Sequence, residues 1–211
     1  MSADVPLARA SLGAIPTYLP GMANILILPG SGRRDSVNRK LAAVAADLVT
    51  EAGADAVLID PADFSLPLFD QDLEAADGLP AAATALKQKF LAADAVIFVS
   101  PEYNSSVTPL MKNFIDWVSR AESDDEAPLA AYRGKVAGLL AASPGALGGL
   151  RGLVHLRSIL GNIGVLVVPK QFALGGAYGK FDESGKPVDP SVREGVKSVV
   201  AEVLAVASKL K

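Results

Sequence analysis

Gly30, Ser31, Gly32, Arg33, Ser36 and Asn38 gather hydroxyl, amide and guanidinium groups into one short stretch directly after an apolar run, Asn24 to Leu28. Glycines at 30 and 32 let backbone N–H groups approach an anion, the serines and the asparagine supply further donors, and Arg33 adds a planar cationic fork. From about Val37 the apolar positions Leu41, Val44, Ala45, Leu48 and Val49 recur at helical spacing, so the free N–H groups of a helix start face the same point. This is chemistry for holding a phosphate. An ordinary strand-to-helix turn capped by Ser36 would use several of the same residues. Neither common nucleotide fingerprint is present: no lysine follows the second glycine, and Asp35 stands where G-x-G-x-x-G needs its third. A P-loop NTPase and a standard dinucleotide fold are therefore disfavoured.

Two more stretches carry ligand-type chemistry. In Pro101-Glu102-Tyr103-Asn104 an aromatic side chain is able to lie beside a flat ring while the asparagine and the backbone bond its polar edge; a plain surface loop is the alternative. From Ser143 to Arg151, glycines at 145, 148 and 149 open the backbone to a ligand. Arg151 and Arg157 then form either an electropositive mouth or partners for acids at a subunit contact. His155, the one histidine, falls in a helical pattern without metal-ligand companions, which argues against a Ser/His/Asp triad or a histidine-rich metal site. Its expected place is partly buried packing. The acidic run Asp124, Asp125 and Glu126 reads as solvated. With an anion site and ring-sized loops but no acid/base set, the chemistry points to a bound cofactor.

The elements that must position these loops alternate between strand and helix five times. Strands are expected at Asn24 to Leu28, Ala56 to Ile59, Ala95 to Ser100, Lys135 to Ala142 and Val165 to Val168. Helices follow from about Val37, at Ala81 to Phe90, Pro109 to Ser119, Gly149 to Ile163 and Ser191 to Leu210. Pro61 and Pro67 punctuate a loop running to Asp72, and the alanine-rich Ala75 to Ala85 leads into the next helix. This is an α/β pattern with a parallel sheet covered on both faces. In such a sheet the three loops, Gly30 to Asp35, Pro101 to Ser106 and Ser143 to Arg151, open at one edge.

The chain has 211 residues, half of them apolar, enough for one α/β domain, here expected over residues 22–211. Residues 1–21, interrupted by Pro6, Pro16 and Pro20 and lacking a secretory h-region, are expected to be an arm or extension. A net charge of −3 with scattered basic residues argues against a nucleic-acid surface. No uninterrupted apolar run reaches the roughly 18 residues of a membrane span. The absence of cysteine excludes disulfides and thiolate metal sites and is compatible with the cytoplasm.

Taken together, these residues resemble the NADPH-dependent FMN reductase family, the flavodoxin-like group that includes chromate, quinone and azo-dye reductases. Three motifs carry the resemblance: G-S-x-R-x-x-S-x-N from Gly30 to Asn38; P-E-Y-N from Pro101 to Asn104, continuing through Pro109, Lys112, Asn113, Asp116 and Trp117; and the glycine turn Gly145 to Arg151 leading to Leu156 and Arg157. Gly32 occupies a variable motif position that often holds a larger residue.

The resemblance implies a flavodoxin-like three-layer sandwich with a five-stranded parallel sheet in the order 2-1-3-4-5. It implies noncovalent FMN, its phosphate at Ser31, Arg33, Ser36 and Asn38 with Val37 beside them. The flavin ring would lie against Pro101, Glu102, Tyr103 and Asn104, with Ser143, Gly145 and Gly148 nearby. NADPH or NADH would be the reductant, Tyr103 and Arg151 would meet the second substrate, and that substrate would be a small electron acceptor. No side-chain nucleophile is required. A homodimer or homotetramer is implied, with the helix carrying Met111, Phe114, Ile115 and Val118 as a possible interface; intramolecular core is the alternative for those residues. A flavodoxin-like electron carrier without turnover of small acceptors is the competing reading.

Overall fold

The computed structural model describes residues 23–210, so the expected arm at 1–21 lies outside the described residues. Strands β1 (Asn24–Pro29), β2 (Asp55–Leu58), β3 (Ala95–Val99), β6 (Val136–Ala142) and β7 (Leu166–Leu174) form a parallel sheet in the order β2-β1-β3-β6-β7. A separate two-stranded hairpin is made by β4 (Glu102–Tyr103) and β5 (Ser106–Val107). The five sheet strands, counted alone, follow the expected order 2-1-3-4-5.

Alternating side chains explain both covered faces. Ile25 and Ile27 point into a core shared with α1 (Val37–Glu51) and α6 (Pro190–Ala207), where Leu41, Leu48, Val196 and Val203 are buried. Leu26 and Leu28 enter the opposite core with α3 (Ala81–Ala92), α4 (Pro109–Val118) and α5 (Leu150–Asn162). A strand buried on both sides needs an unbroken apolar run, and β1 has one. Each fully buried leucine or isoleucine contributes about 1.5–3 kcal/mol.

The helix considered as an oligomer face is used differently. Met111, Phe114, Ile115 and Val118 of α4 are all buried in the chain's own core, so the intramolecular reading holds for them.

Three local features depart from the expected pattern. Within the expected loop after β2, Asp70 caps a short helix, α2 (Gln71–Asp77), by accepting from the N–H groups of Asp72 and Leu73. The loop before it is fixed by α4: Asn113 donates to the Pro67 carbonyl and accepts from the Phe69 N–H, and the Trp117 indole donates to the same carbonyl. β7 is longer than expected because it bulges. Ala137 faces Val167 but Leu139 faces Gln171, so Gly138 stands opposite Val168, Pro169 and Lys170. Third, Glu126 is drawn out of the acidic run to pair with Lys87, a lysine only 1% exposed, at 2.6 Å. Asp124 and Asp125 remain exposed.

Candidate active site

The loops after β1, β3 and β6 emerge at the carboxyl edge from neighbouring strands. β1 sends its chain to β2 on one side while β3 lies on the other, the arrangement that opens a ligand crevice in this class of sheet. The Gly30 N–H donates to the Val99 carbonyl at 2.9 Å, tying the first loop to the second.

Gly30 passes so close to α4 that an added Cβ would lie 2.9 Å from Met111 Cε and 3.3 Å from Thr108 Oγ1. The Thr108 hydroxyl donates to the Gly30 carbonyl at 2.7 Å and accepts from the Met111 N–H. One buried side chain thus caps α4 and fixes the loop. Thr108 before Pro109 is a recognisable helix-start signal, but its long-range bond has no signature in the sequence.

Ser36 caps α1 by accepting from the Asn38 N–H at 3.2 Å, and Ser31 accepts from the Arg33 N–H at 3.4 Å. Asn38 does not present its side chain to the loop as expected. Its Nδ2 donates to the Ala142 carbonyl and its Oδ1 accepts from the Ala142 N–H, both at 2.8 Å. The amide links α1 to the end of β6, where backbone groups beyond the ladder need partners. In contrast, among the described residues the main-chain N–H groups of Gly32, Arg34 and Asp35 have no acceptor, and the Arg33 and Arg34 side chains have no ion pair. The loop is therefore held from beneath and left electropositive above.

The second loop is the β4–β5 hairpin. Asn104 and Ser105 have φ of 50° and 66°, the pair of positive values that a two-residue turn of this hand demands. Glu102 anchors the hairpin to α5: Oε1 accepts from Arg151 Nη2 at 2.6 Å and Nε at 3.0 Å, and Oε2 accepts from the Gly152 N–H at 3.0 Å. Burial pushes the Glu102 carboxyl up, but the Gly152 N–H and Arg151 together outweigh it and hold its pKa below the ordinary value. Arg151 thus has an acidic partner within its own chain. Tyr103, on the other side of the strand, is 57% exposed.

His155 is exposed rather than packed, because Leu153, Leu156 and Leu160 occupy the core face of α5. Its Nδ1 lies 3.0 Å from Ser106 Oγ. Arg157 is also absent from the mouth. It donates to the carbonyls of Val167, Val168 and Pro169 and to Gln171 Oε1, filling the β7 bulge.

In the third loop, Ser143 Oγ accepts from the Gly145 N–H at 3.2 Å. Gly148 has φ of 63°, and a Cβ there would lie 2.6 Å from the Leu174 backbone. Its glycine serves packing against the end of β7. Gly145 has open space around it, with only Ser143 Oγ at 3.7 Å. Glu102, Ser143, Gly145, Leu147, Gly148 and Arg151 border a cavity of about 240 Å³ between the second and third loops.

The model of the family described as NADPH-dependent FMN reductase matches residues 23–179, three quarters of the sequence and all three loops. The chain belongs to that family. Within this oxidoreductase family, it is 32% identical over 196 residues to a probable NADPH:quinone oxidoreductase of Oryza sativa, spanning 91% of this chain and 92% of the relative. It is 35% identical to an NAD(P)H-dependent FMN reductase of Pseudomonas aeruginosa, over 81% of this chain and 87% of that one. Among solved structures, the flavoenzyme NAD(P)H:(acceptor) oxidoreductase of Paracoccus denitrificans superposes with a TM-score of 0.72 at 26% identity, covering 87% of this chain and 98% of its own.

The residues present fit the FMN that gives the family its name. A phosphate monoester needs N–H donors and a cation, and the loop offers both in the unpaired N–H groups of Gly32, Arg34 and Asp35 and the Arg33 guanidinium. A flat ring needs open, glycine-lined space, and Gly145, Gly148 and Gly149 supply it in the cavity between Glu102 of the second loop and the third loop.

Proposed function

We propose that this chain binds FMN noncovalently and uses it to oxidise NAD(P)H and reduce a small acceptor, a quinone first, with flavins, azo compounds and chromate as further candidates. When bound, FMN supplies the redox chemistry, accepting a hydride from the reduced nicotinamide and handing electrons to the acceptor. The protein's part is to bind and orient. Ser31, Arg33, Ser36 and the N–H of Val37 would take the phosphate, with Asn38 keeping the α1 start in place. The hairpin Pro101 to Asn104 and the turn at Ser143, Gly145 and Gly148 would border the ring. Tyr103 would offer its exposed face to nicotinamide or acceptor, while Arg151 holds the hairpin through Glu102.

The observation that carries this reading is the Gly30 to Ser36 loop, anchored through Gly30, in which the N–H groups of Gly32, Arg34 and Asp35 and the Arg33 guanidinium have no partner among the described residues. A homodimer or homotetramer is part of the proposal; exposed Leu68, Leu147, Leu150 and Val154 supply apolar surface for it in place of the α4 residues. No helix among the described residues is long and apolar enough to cross a membrane. A cytoplasmic location is a separate part of the proposal, compatible with a chain that has no cysteine.

The test is an absorption spectrum after FMN addition and desalting, followed by anaerobic titration with NADPH. Retained flavin bands that bleach, and then recover on adding a quinone, are the expected result. Flavin that is retained but does not bleach would favour an electron carrier, and no retained flavin would refute the site. Arg33→Ala should weaken FMN binding by about 1.5–3 kcal/mol, the value of a charge-assisted hydrogen bond.

A further inference from the structure

Arginines in this fold are engaged with notable consistency. Arg39 pairs with Asp60, Arg120 with Glu74, Arg151 with Glu102 and Arg193 with Glu51, and Arg157 is occupied by carbonyls. Among the described residues only Arg33, Arg34 and Arg133 lack such partners. Arg133 lies before β6, at the amino edge of the sheet, away from the three loops. The two remaining guanidinium groups stand on consecutive residues of the anion loop. Both are exposed, and the neighbouring Asp35 forms an ion pair with neither.

A single flavin phosphate has one use for a planar cation here. The loop N–H groups and one guanidinium already suffice for one phosphate, which leaves the second guanidinium to another anion. Arginine recognises phosphate through paired N–H···O bonds, which the free Arg34 fork is able to make.

We propose that Arg34 forms a second phosphate subsite at the rim of the loop, taking the ribose 2′-phosphate that distinguishes NADPH from NADH. This rests on the function proposed above. Arg33 belongs to the resident phosphate, and Arg34 to the one that arrives and leaves with the reductant. The subsite is selective by electrostatics alone: a dinucleotide without the extra phosphate gains nothing from Arg34.

The probes are 2′,5′-ADP, which carries the second phosphate, and 5′-ADP, which carries none at the 2′ position. Their binding to the FMN-loaded protein is measured by titration calorimetry, beside the retained flavin absorbance and the KM for each nicotinamide. Wild-type protein should prefer 2′,5′-ADP by roughly tenfold or more. Arg34→Gln should abolish that preference and raise the KM for NADPH by a similar factor, while FMN retention, 5′-ADP binding and the KM for NADH stay as they were. Arg34→Lys, which keeps the charge, should restore part of the preference. Equal binding of the two probes by wild-type protein, or an unchanged preference in Arg34→Gln, would overturn the subsite while leaving the flavin assignment intact. Flavin loss in Arg34→Gln but not in Arg33→Gln would overturn it by exchanging the two roles. Failure of wild-type protein to retain FMN would refute the underlying function, and the subsite with it.

Discussion

Glu102 joins two of the three loops through one carboxylate, with Arg151 Nη2 at 2.6 Å from Oε1 and the Gly152 N–H at 3.0 Å from Oε2. The hairpin's position over the sheet edge therefore depends on an ionised group. Glu102→Gln keeps the size but weakens both contacts, and Glu102→Ala removes them, for an expected loss of about 1–3 kcal/mol measured by urea unfolding at neutral pH. The carboxyl pKa is depressed in the folded state, so its contribution is fully present above the unfolded value and is lost as pH falls through the folded one. Wild-type stability should fall more steeply than that of Glu102→Gln as pH is lowered from 5 through the ordinary glutamate value of 4.5 and below. Parallel curves would show that Glu102 does not carry this dependence.

Asn38 was legible as part of a motif but not as a strut between α1 and β6. If its amide serves Ala142, Asn38→Ala should destabilise the apoprotein by about 2–4 kcal/mol, because the Ala142 N–H and carbonyl are left buried without partners. Thermal unfolding without flavin is the deciding measurement. A variant that unfolds like wild type without FMN, yet binds FMN poorly, would return Asn38 to the phosphate.

Thr108→Val preserves shape and removes the hydroxyl that caps α4 and holds the Gly30 carbonyl. A stability loss of about 1–2 kcal/mol is expected from the cap. FMN affinity should also fall, since the loop loses its anchor, and a flavin titration reads that directly. An intact affinity in a destabilised variant would mean that Gly30 is positioned by its Val99 bond alone.

Lys87 and Glu126 make a buried-end pair whose halves are unequal in environment. Glu126 is held below the ordinary carboxylate range first by the Glu122 N–H and then by Lys87, so its contribution also disappears as pH drops through the folded value. Glu126→Gln leaves a nearly inaccessible ammonium without its main counter-charge, at an expected cost of about 3 kcal/mol. The double variant Lys87→Met with Glu126→Gln should be more stable than Glu126→Gln alone. Calorimetric unfolding of both proteins checks the order.

The sheet and its strand order were readable because β1, β3 and β6 are continuous apolar runs and each is followed by a glycine- or proline-marked exit. The three loops were readable for the same reason. The features without a local signal depend on distant partners. Nothing in the sequence around Arg157 says that it fills a bulge ten residues later, nor does the acidic run reveal that only Glu126 finds a lysine across the chain. Glu102 and Arg151 stood in separate motifs, and only the fold of the β4–β5 hairpin onto α5 brought them together. Asp70 did carry a local signal for α2, a capping residue before a helix-forming stretch, but the surrounding prolines hid it.

The bulge in β7 bears on how this protein behaves among its own copies. β7 closes one side of the sheet, and an outermost strand with a straight row of free carbonyls is a template onto which another polypeptide can add. Here three consecutive carbonyls, those of Val167, Val168 and Pro169, already accept from Arg157, and Pro169 has no N–H to give. The arginine suited by type to a ligand instead makes this bulged stretch of the strand unable to extend a regular ladder.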